Sequence, residues 1–241
     1  MMKHTLYSIF MLVIMIFVAA CNGIFPISGS KNIISENRDV NDFSGIDVSL
    51  SAEIILIQGD DESLSIEADD NIMSYIQTTM QNGVLNISTT PNTTITPSQP
   101  IKITLSFITL NNINTSGSTT ITADGLNLET LTIDTSGSTN IVATDVRLDT
   151  LTIESSGSSQ VQLSGIVASQ TIEISGNGVI NNFELVSETT SINVGGNGQI
   201  FVNVADTLAV DISGNSEISY MGSPLVTRSI SGNGTITQVE P

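Results

Sequence analysis

From Ile113 to Ile236 the chain alternates apolar and polar residues around a recurring small-residue corner. Seven such corners occur: Thr115-Ser116-Gly117-Ser118, Thr135-Ser136-Gly137-Ser138, Ser155-Ser156-Gly157-Ser158, Ser175-Gly176-Asn177-Gly178, Gly195-Gly196-Asn197-Gly198, Ser213-Gly214-Asn215-Ser216 and Ser231-Gly232-Asn233-Gly234. Their glycines, Gly117, Gly137, Gly157, Gly176, Gly196, Gly214 and Gly232, are 20, 20, 19, 20, 18 and 18 residues apart. Four residues after each glycine stands a β-branched aliphatic: Ile121, Ile141, Val161, Ile180, Ile200, Ile218 and Ile236. Four before stand Ile113, Ile133, Ile153, Ile172, Ile192 and Val210, with Arg228 in the last unit. Two before, Thr115, Thr135 and Ser155 give way to Ile174, Val194, Ile212 and Ile230.

Alternation at period two predicts strands with one face inward. Branched side chains pack well on a pleated surface. Each unit holds two or three strands of about four or five residues, too short to bury a core alone. A fixed period of this length marks a solenoid. The units therefore stack as a parallel β-helix, about 4.7–4.9 Å between coils, in a rod on the order of 30 Å long for seven coils. The corner glycines are expected to take positive φ without steric cost. Asn177, Asn197, Asn215 and Asn233 are expected to stack as an amide ladder, and Ser118, Ser138 and Ser158 as its hydroxyl counterpart.

Ahead of the repeats lies a β-rich opening section. Phe43–Leu50, Glu53–Asp60 and Ser63–Ala68 read as strands. Asp69–Ile76 reads as a single helical turn with Asp69 or Asp70 as N-cap. Asn82-Gly83 before Val84–Ile87 is a hairpin signal. Pro91, Pro97 and Pro100 mark an exposed loop over 90–100, and Ile101–Phe107 resumes strand.

These segments resemble a known family. The order from Phe43-Ser44-Gly45-Ile46-Asp47-Val48, through Glu67-Ala68-Asp69-Asp70-Asn71-Ile72-Met73, to Asn82-Gly83-Val84-Leu85-Asn86-Ile87, followed by repeated SGS and SGNG corners, looks like the head GIN domain family, labelled autotransporter adhesin. The resemblance covers about residues 40–240. It implies an exported, often lipid-anchored protein built as a right-handed β-helix-like stack, and it brings no catalytic motif. The last coil runs directly into Pro241, which leaves no residues for an outer-membrane barrel. A self-exporting autotransporter is therefore not expected.

The N-terminus changes the picture. Lys3 and His4 precede an apolar run, Leu6–Val18, and Val18-Ala19-Ala20 precedes Cys21. The run is short of the roughly 20 residues that span a bilayer. It reads as a signal peptide over 1–20, and the small-residue site before a cysteine looks like a bacterial lipoprotein signal, with Cys21 lipidated. Residues 21–42 then form a flexible tether and 43–241 the β-helical domain. Asn22, in place of Asp, points to the outer membrane where the host has two.

With 24 Asp+Glu against 6 Lys+Arg, the net charge is −18. A nucleic-acid partner is excluded, because phosphate neutralisation needs clustered cations. No cofactor is expected. His4 is the only histidine and Cys21 the only cysteine, which removes Ser-His-Asp and Cys-His catalysis and zinc sites from the mature chain. The carboxylates Asp60, Asp61 and Glu62 with Asp69 and Asp70 are weak oxygen-only metal candidates, read first as two solvated turns and a helix cap. Asp134 and Glu154 share a column, with Glu173 one place off it. The combined expectation is an all-β, non-catalytic, extracytoplasmic module, lipid-anchored to a bacterial membrane. Its partner would be a glycan or protein of the envelope. A polysaccharide-active enzyme on the same scaffold and a purely structural stalk stand as alternatives.

Overall fold

The computed structural model describes residues 26–240, and Cys21 and the predicted signal peptide lie outside them. The chain is nearly all β and winds a solenoid of about 6 turns, the number enclosed by seven corners. The repeats start with β10 (Asn112–Thr115) and β11 (Ser118–Asp124). They run through β12 (Asn127–Thr135), β13 (Ser138–Ser155), β14 (Ser158–Ile174), β15 (Asn177–Val194) and β16 (Asn197–Ile212). β17 (Asn215–Met221), β18 (Leu225–Ile230) and β19 (Asn233–Gln238) close the series. All pair parallel.

The registers join the predicted columns residue for residue. Ile113, Ile133, Ile153, Ile172, Ile192, Val210 and Arg228 are successive partners. So are Ile121, Ile141, Val161, Ile180, Ile200, Ile218 and Ile236. The first six members of each column are buried. The column two before the glycine is also inward as far as Ile212. Of its three hydroxyls, two pair inside the core, Thr115 with Thr139 at 2.8 Å and Ser155 with Ser159 at 2.7 Å, and that of Thr135 donates to the Glu154 carbonyl at 3.4 Å. Beside Ile174 and Val194 the neighbouring position shrinks instead, although Ser216 keeps its hydroxyl in the coil of Ile212. A Cβ on Gly178 would come within 2.7 Å of Ile174, and one on Gly198 within 3.2 Å of Val194. SGS becomes SGNG because the bulk moves from one side of the corner to the other.

The corner glycines correct the sequence expectation. None of Gly117, Gly137, Gly157, Gly176, Gly196, Gly214 or Gly232 has positive φ. A Cβ on Gly137 would lie 2.0 Å from the carbonyl oxygen of Gly117, and one on Gly157 2.1 Å from that of Gly137. The corner is glycine because coil sits directly on coil, with no room for a β-carbon.

The opening section is threaded out of sequence order. β1 (Ile27–Ser28), β2 (Ile33–Arg38), β3 (Gly45–Val48), β4 (Ala52–Gln58) and β5 (Ser63–Asp69) come first. A four-residue helix α1 (Asp70–Met73), β6 (Ile76–Gln81), β7 (Val84–Thr89), β8 (Ile95–Thr96) and β9 (Ile101–Phe107) follow. β3 and β4 form a coil beneath β10 and β11, with Ile46 under Ile113 and Ile54 under Ile121. Although later in sequence, β7 and β9 stack on the other side of that coil, with Leu85 beside Ile46 and Ile103 beside Ile54. Antiparallel β5 and β2 then cover β9, and β6 covers β7. The N-terminal end of the stack is thus closed by a change of strand direction. Asn82 and Gly83 both have positive φ, the turn expected of a hairpin loop.

The predicted flexible tether, residues 21–42, is also corrected. Its residues 27–28 and 33–38 are strands, β2 pairing with β5 along six residues. β2 is almost wholly exposed, so it lacks the alternation by which strands are recognised; it is an edge held by backbone pairing. Arg38 adds to this by donating to the carbonyls of Ile76 (2.8 Å) and Met73 (3.3 Å).

Two substitutions test the stack by urea denaturation. Ile180→Ala is expected to cost about 2–5 kcal/mol, against about 0.5 kcal/mol or less for its outward neighbour Asn181→Ala; equal costs would refute an inward Ile180. Gly157→Ala is expected to cost about 1–3 kcal/mol or more, whereas Gly59→Ala, with open space around it, is expected to be near neutral.

Candidate functional site

The predicted carboxylate group does not assemble. Asp60, Asp61 and Glu62 precede β5, whereas Asp69 and Asp70 lie at its far end, about 20 Å away at about 3.3 Å per residue. Among the described residues no three His, Cys, Asp or Glu side chains converge as a metal site.

Asp69 has another task. It occupies the N-cap position of α1 but makes no side-chain cap bond. Its fully buried carboxylate accepts the Lys31 N–H (2.7 Å), the Ser98 N–H (2.8 Å) and the Ser98 hydroxyl (2.6 Å). Asp70 accepts the Ser30 hydroxyl (2.5 Å) and the Asn32 amide (2.9 Å). Asn71 accepts the Ser30 N–H and donates to the Ser28 carbonyl. Three consecutive side chains therefore clasp residues 28–32, and Asp69 also holds the loop at Ser98. The Ser98 hydroxyl, then the Ser98 and Lys31 N–H groups, hold Asp69 below the ordinary aspartate pKa, against the opposing effect of burial. The Asn32 amide and Ser30 hydroxyl do the same for Asp70. Partners some 30 to 40 residues away leave no mark in sequence spacing.

The acidic column takes in Glu173, which stands three residues before Gly176 as Asp134 and Glu154 stand before Gly137 and Gly157. Asp134, Glu154 and Glu173 are direct register partners, so Glu173 is in the column and not beside it. Asp47 and Asp211 occupy the same row. Asp134, Glu154, Glu173 and Asp211 are exposed to solvent, which moderates the repulsion between stacked like charges.

Along the Ser-Gly corner runs a groove of about 790 Å³. It crosses six coils, from Ser118 to Glu217, about 24 Å at about 4.8 Å per step. Two in-register rows line it. One is the predicted Ser118, Ser138, Ser158, Asn177, Asn197 and Asn215 column. In it the Asn197 amide donates to Asn177 Oδ1 (2.9 Å) and the Asn215 amide to Asn197 Oδ1 (3.3 Å). The second row, two residues on, carries Thr120, Asn140, Gln160, Val179, Gln199 and Glu217. Thr119 and Ser216 lie between these rows, in register with the inward Thr139, Ser159, Gly178 and Gly198, and their enclosed hydroxyls find no hydrogen-bond partner among the described residues. The second row was visible in the alternation but held no motif to single it out. On another side, Leu128, Leu148, Ile166, Val167, Ala168 and Val186 contribute to a groove of about 580 Å³ rimmed by Glu129, Arg147, Asp149 and Glu188.

Fold and grooves together define a β-solenoid of the repeat-protein class, with its distinguishing chemistry spread along the stack. The chain belongs to the head GIN domain family: the family's model, described as "Putative auto-transporter adhesin, head GIN domain", matches residues 42–224. No curated protein matches it significantly. Among solved structures it is similar to a putative adhesin of Bacteroides fragilis, at 25% identity and TM-score 0.83, over 88% of this chain and 100% of that one. It is similar to a putative lipid binding protein of Parabacteroides distasonis, at 25% identity and TM-score 0.76, over 89% and 100%. A putative adhesin of Parabacteroides merdae shares the fold, at 18% identity and TM-score 0.66, over 88% and 98%.

The clasp is testable by hydrogen exchange. Because the folded Asp69 and Asp70 pKa values lie below the ordinary 3.8, their stabilisation is complete above that value and is lost as pH falls through the depressed one. Protection of the Lys31 and Ser98 amides is expected to follow that course. Asp69→Asn is expected to lower their protection at pH 7 by at least about tenfold; unchanged protection would remove the clasp.

Proposed function

We propose that the protein is a non-catalytic module of the bacterial cell envelope, anchored by lipid at Cys21, that contacts another macromolecule along its solenoid. The carrying observation is membership of an adhesin-named family by a chain whose grooves run along a rigid stack. Solved relatives named as adhesins support the same reading. The sequence Val18-Ala19-Ala20-Cys21 supports the anchor, and no helix among the described residues is long and apolar enough to cross a membrane.

On this reading residues 1–20 are the signal, and the lead between lipid and folded chain is short. Cys21 and the first strand residue, Ile27, are separated by five residues, which reach at most about 20 Å. The clasp at Asp69 keeps this lead from lengthening. The N-terminal cap then sits close to the bilayer, and the repeats carry the binding surface.

Cell fractionation tests the anchor. Cys21→Ser is expected to move the protein from the membrane pellet to the soluble fraction; unchanged pelleting would overturn it.

A further inference from the structure

We propose that the groove over the Ser-Gly corner binds an extended, uncharged polysaccharide lying along the solenoid axis. This assignment rests on the macromolecule-binding role above and names the ligand class.

The first ground is hydrogen-bonding chemistry. Asn140, Gln160 and Gln199 present both donors and acceptors, and the hydroxyls beside them can do either. Sugar hydroxyls have the same dual character, so the match holds whichever way each turns. The amide ladder uses only one N–H each of Asn197 and Asn215, which leaves a second N–H on each free.

The second ground is charge. Among the described residues Glu217 is the only charged one lining the groove, in a protein of net charge −18. Anionic chains meet repulsion and find no Arg or Lys to hold them.

The third ground weighs against a protein partner. Interfaces between proteins centre on large apolar, aromatic or Arg anchors, whereas Val179 is the one large apolar side chain here. Strand addition by a peptide needs an open edge. Every strand bordering the groove, from β11 to β17, is already paired on both sides.

Rungs fixed by the stack lose little freedom on binding. Without aromatic faces to stack on, each sugar contributes little, so affinity grows with chain length.

The test is affinity electrophoresis of the Cys21→Ser chain through gels containing β-glucan, mannan, dextran, amylose or polygalacturonate. At least one neutral polymer is expected to retard it, with longer fractions retarding more and polygalacturonate not at all. Asn140→Ala with Gln160→Ala is expected to weaken retardation at least about tenfold at an unchanged urea midpoint, whereas Glu188→Ala in the other groove leaves it unchanged. Absence of retardation by every neutral polymer, equal retardation of the double variant, or preference for polygalacturonate would overturn the assignment. Co-sedimentation with isolated bacterial envelopes separates the two levels. Sedimentation without neutral-polymer binding overturns only the glycan, and failure of both overturns the binding role as well.

Discussion

Everything in this molecule answers to the fixed spacing of parallel coils. Backbone hydrogen bonds hold each coil about 4.8 Å from the next, so any side chain sits directly above its equivalent. An inner position is therefore filled by a column and not by a residue. Ile113 to Ile192 and Ile121 to Ile218 satisfy this with near-identical side chains. Around the corner, Ser155 faces Ser159 through a hydrogen bond, whereas Ile174 is accommodated by Gly178. Hydroxyl pair and aliphatic-plus-glycine are two solutions for one volume, and the stack uses both. The same closeness makes the corner glycines obligatory, since a β-carbon on one would strike the backbone of the coil below.

A stack of this kind has two ends. At the N-terminal end the problem is met by direction: β5 and β6 run antiparallel to the coil they cover, and β2 extends β5. The Asp69–Asn71 clasp then binds the incoming chain to this cap. A carboxylate with three donors adds to the β1–β8 pairing that joins the same two segments. At the other end Arg228 interrupts the inner column, and Leu225 and Ile230 are exposed. The column rule relaxes where no coil follows among the described residues.

The constraint that orders the interior also orders the surface. Side chains between the inward positions line up in rows, and two adjacent rows of mixed amides and hydroxyls become a continuous groove. Among the described residues its lining carries one charged side chain, Glu217. Its character is repetition: one modest contact per coil, multiplied by the number of coils. That is suited to a long ligand and is consistent with a family named for adhesion.

Much of this was legible in the chain. Alternation and the spacing of Gly117 to Gly232 determined the inward faces, the stacking register and the Asn177–Asn197–Asn215 ladder, because a repeat carries its own partner assignment. β13 to β16, by contrast, run unbroken for 16 to 18 residues where strands of about four or five were expected. Other features were decided only by tertiary structure. The glycine reason was misjudged, since close approach is a property of two coils. β2 was hidden, because an exposed edge strand has no apolar face to announce it. The stacking of β7 and β9 outside β3 and β4, and the meeting of Asp69 with Lys31 and Ser98, join segments without a shared period. Local pattern specifies which face of a strand is buried; only the folded chain chooses its neighbour.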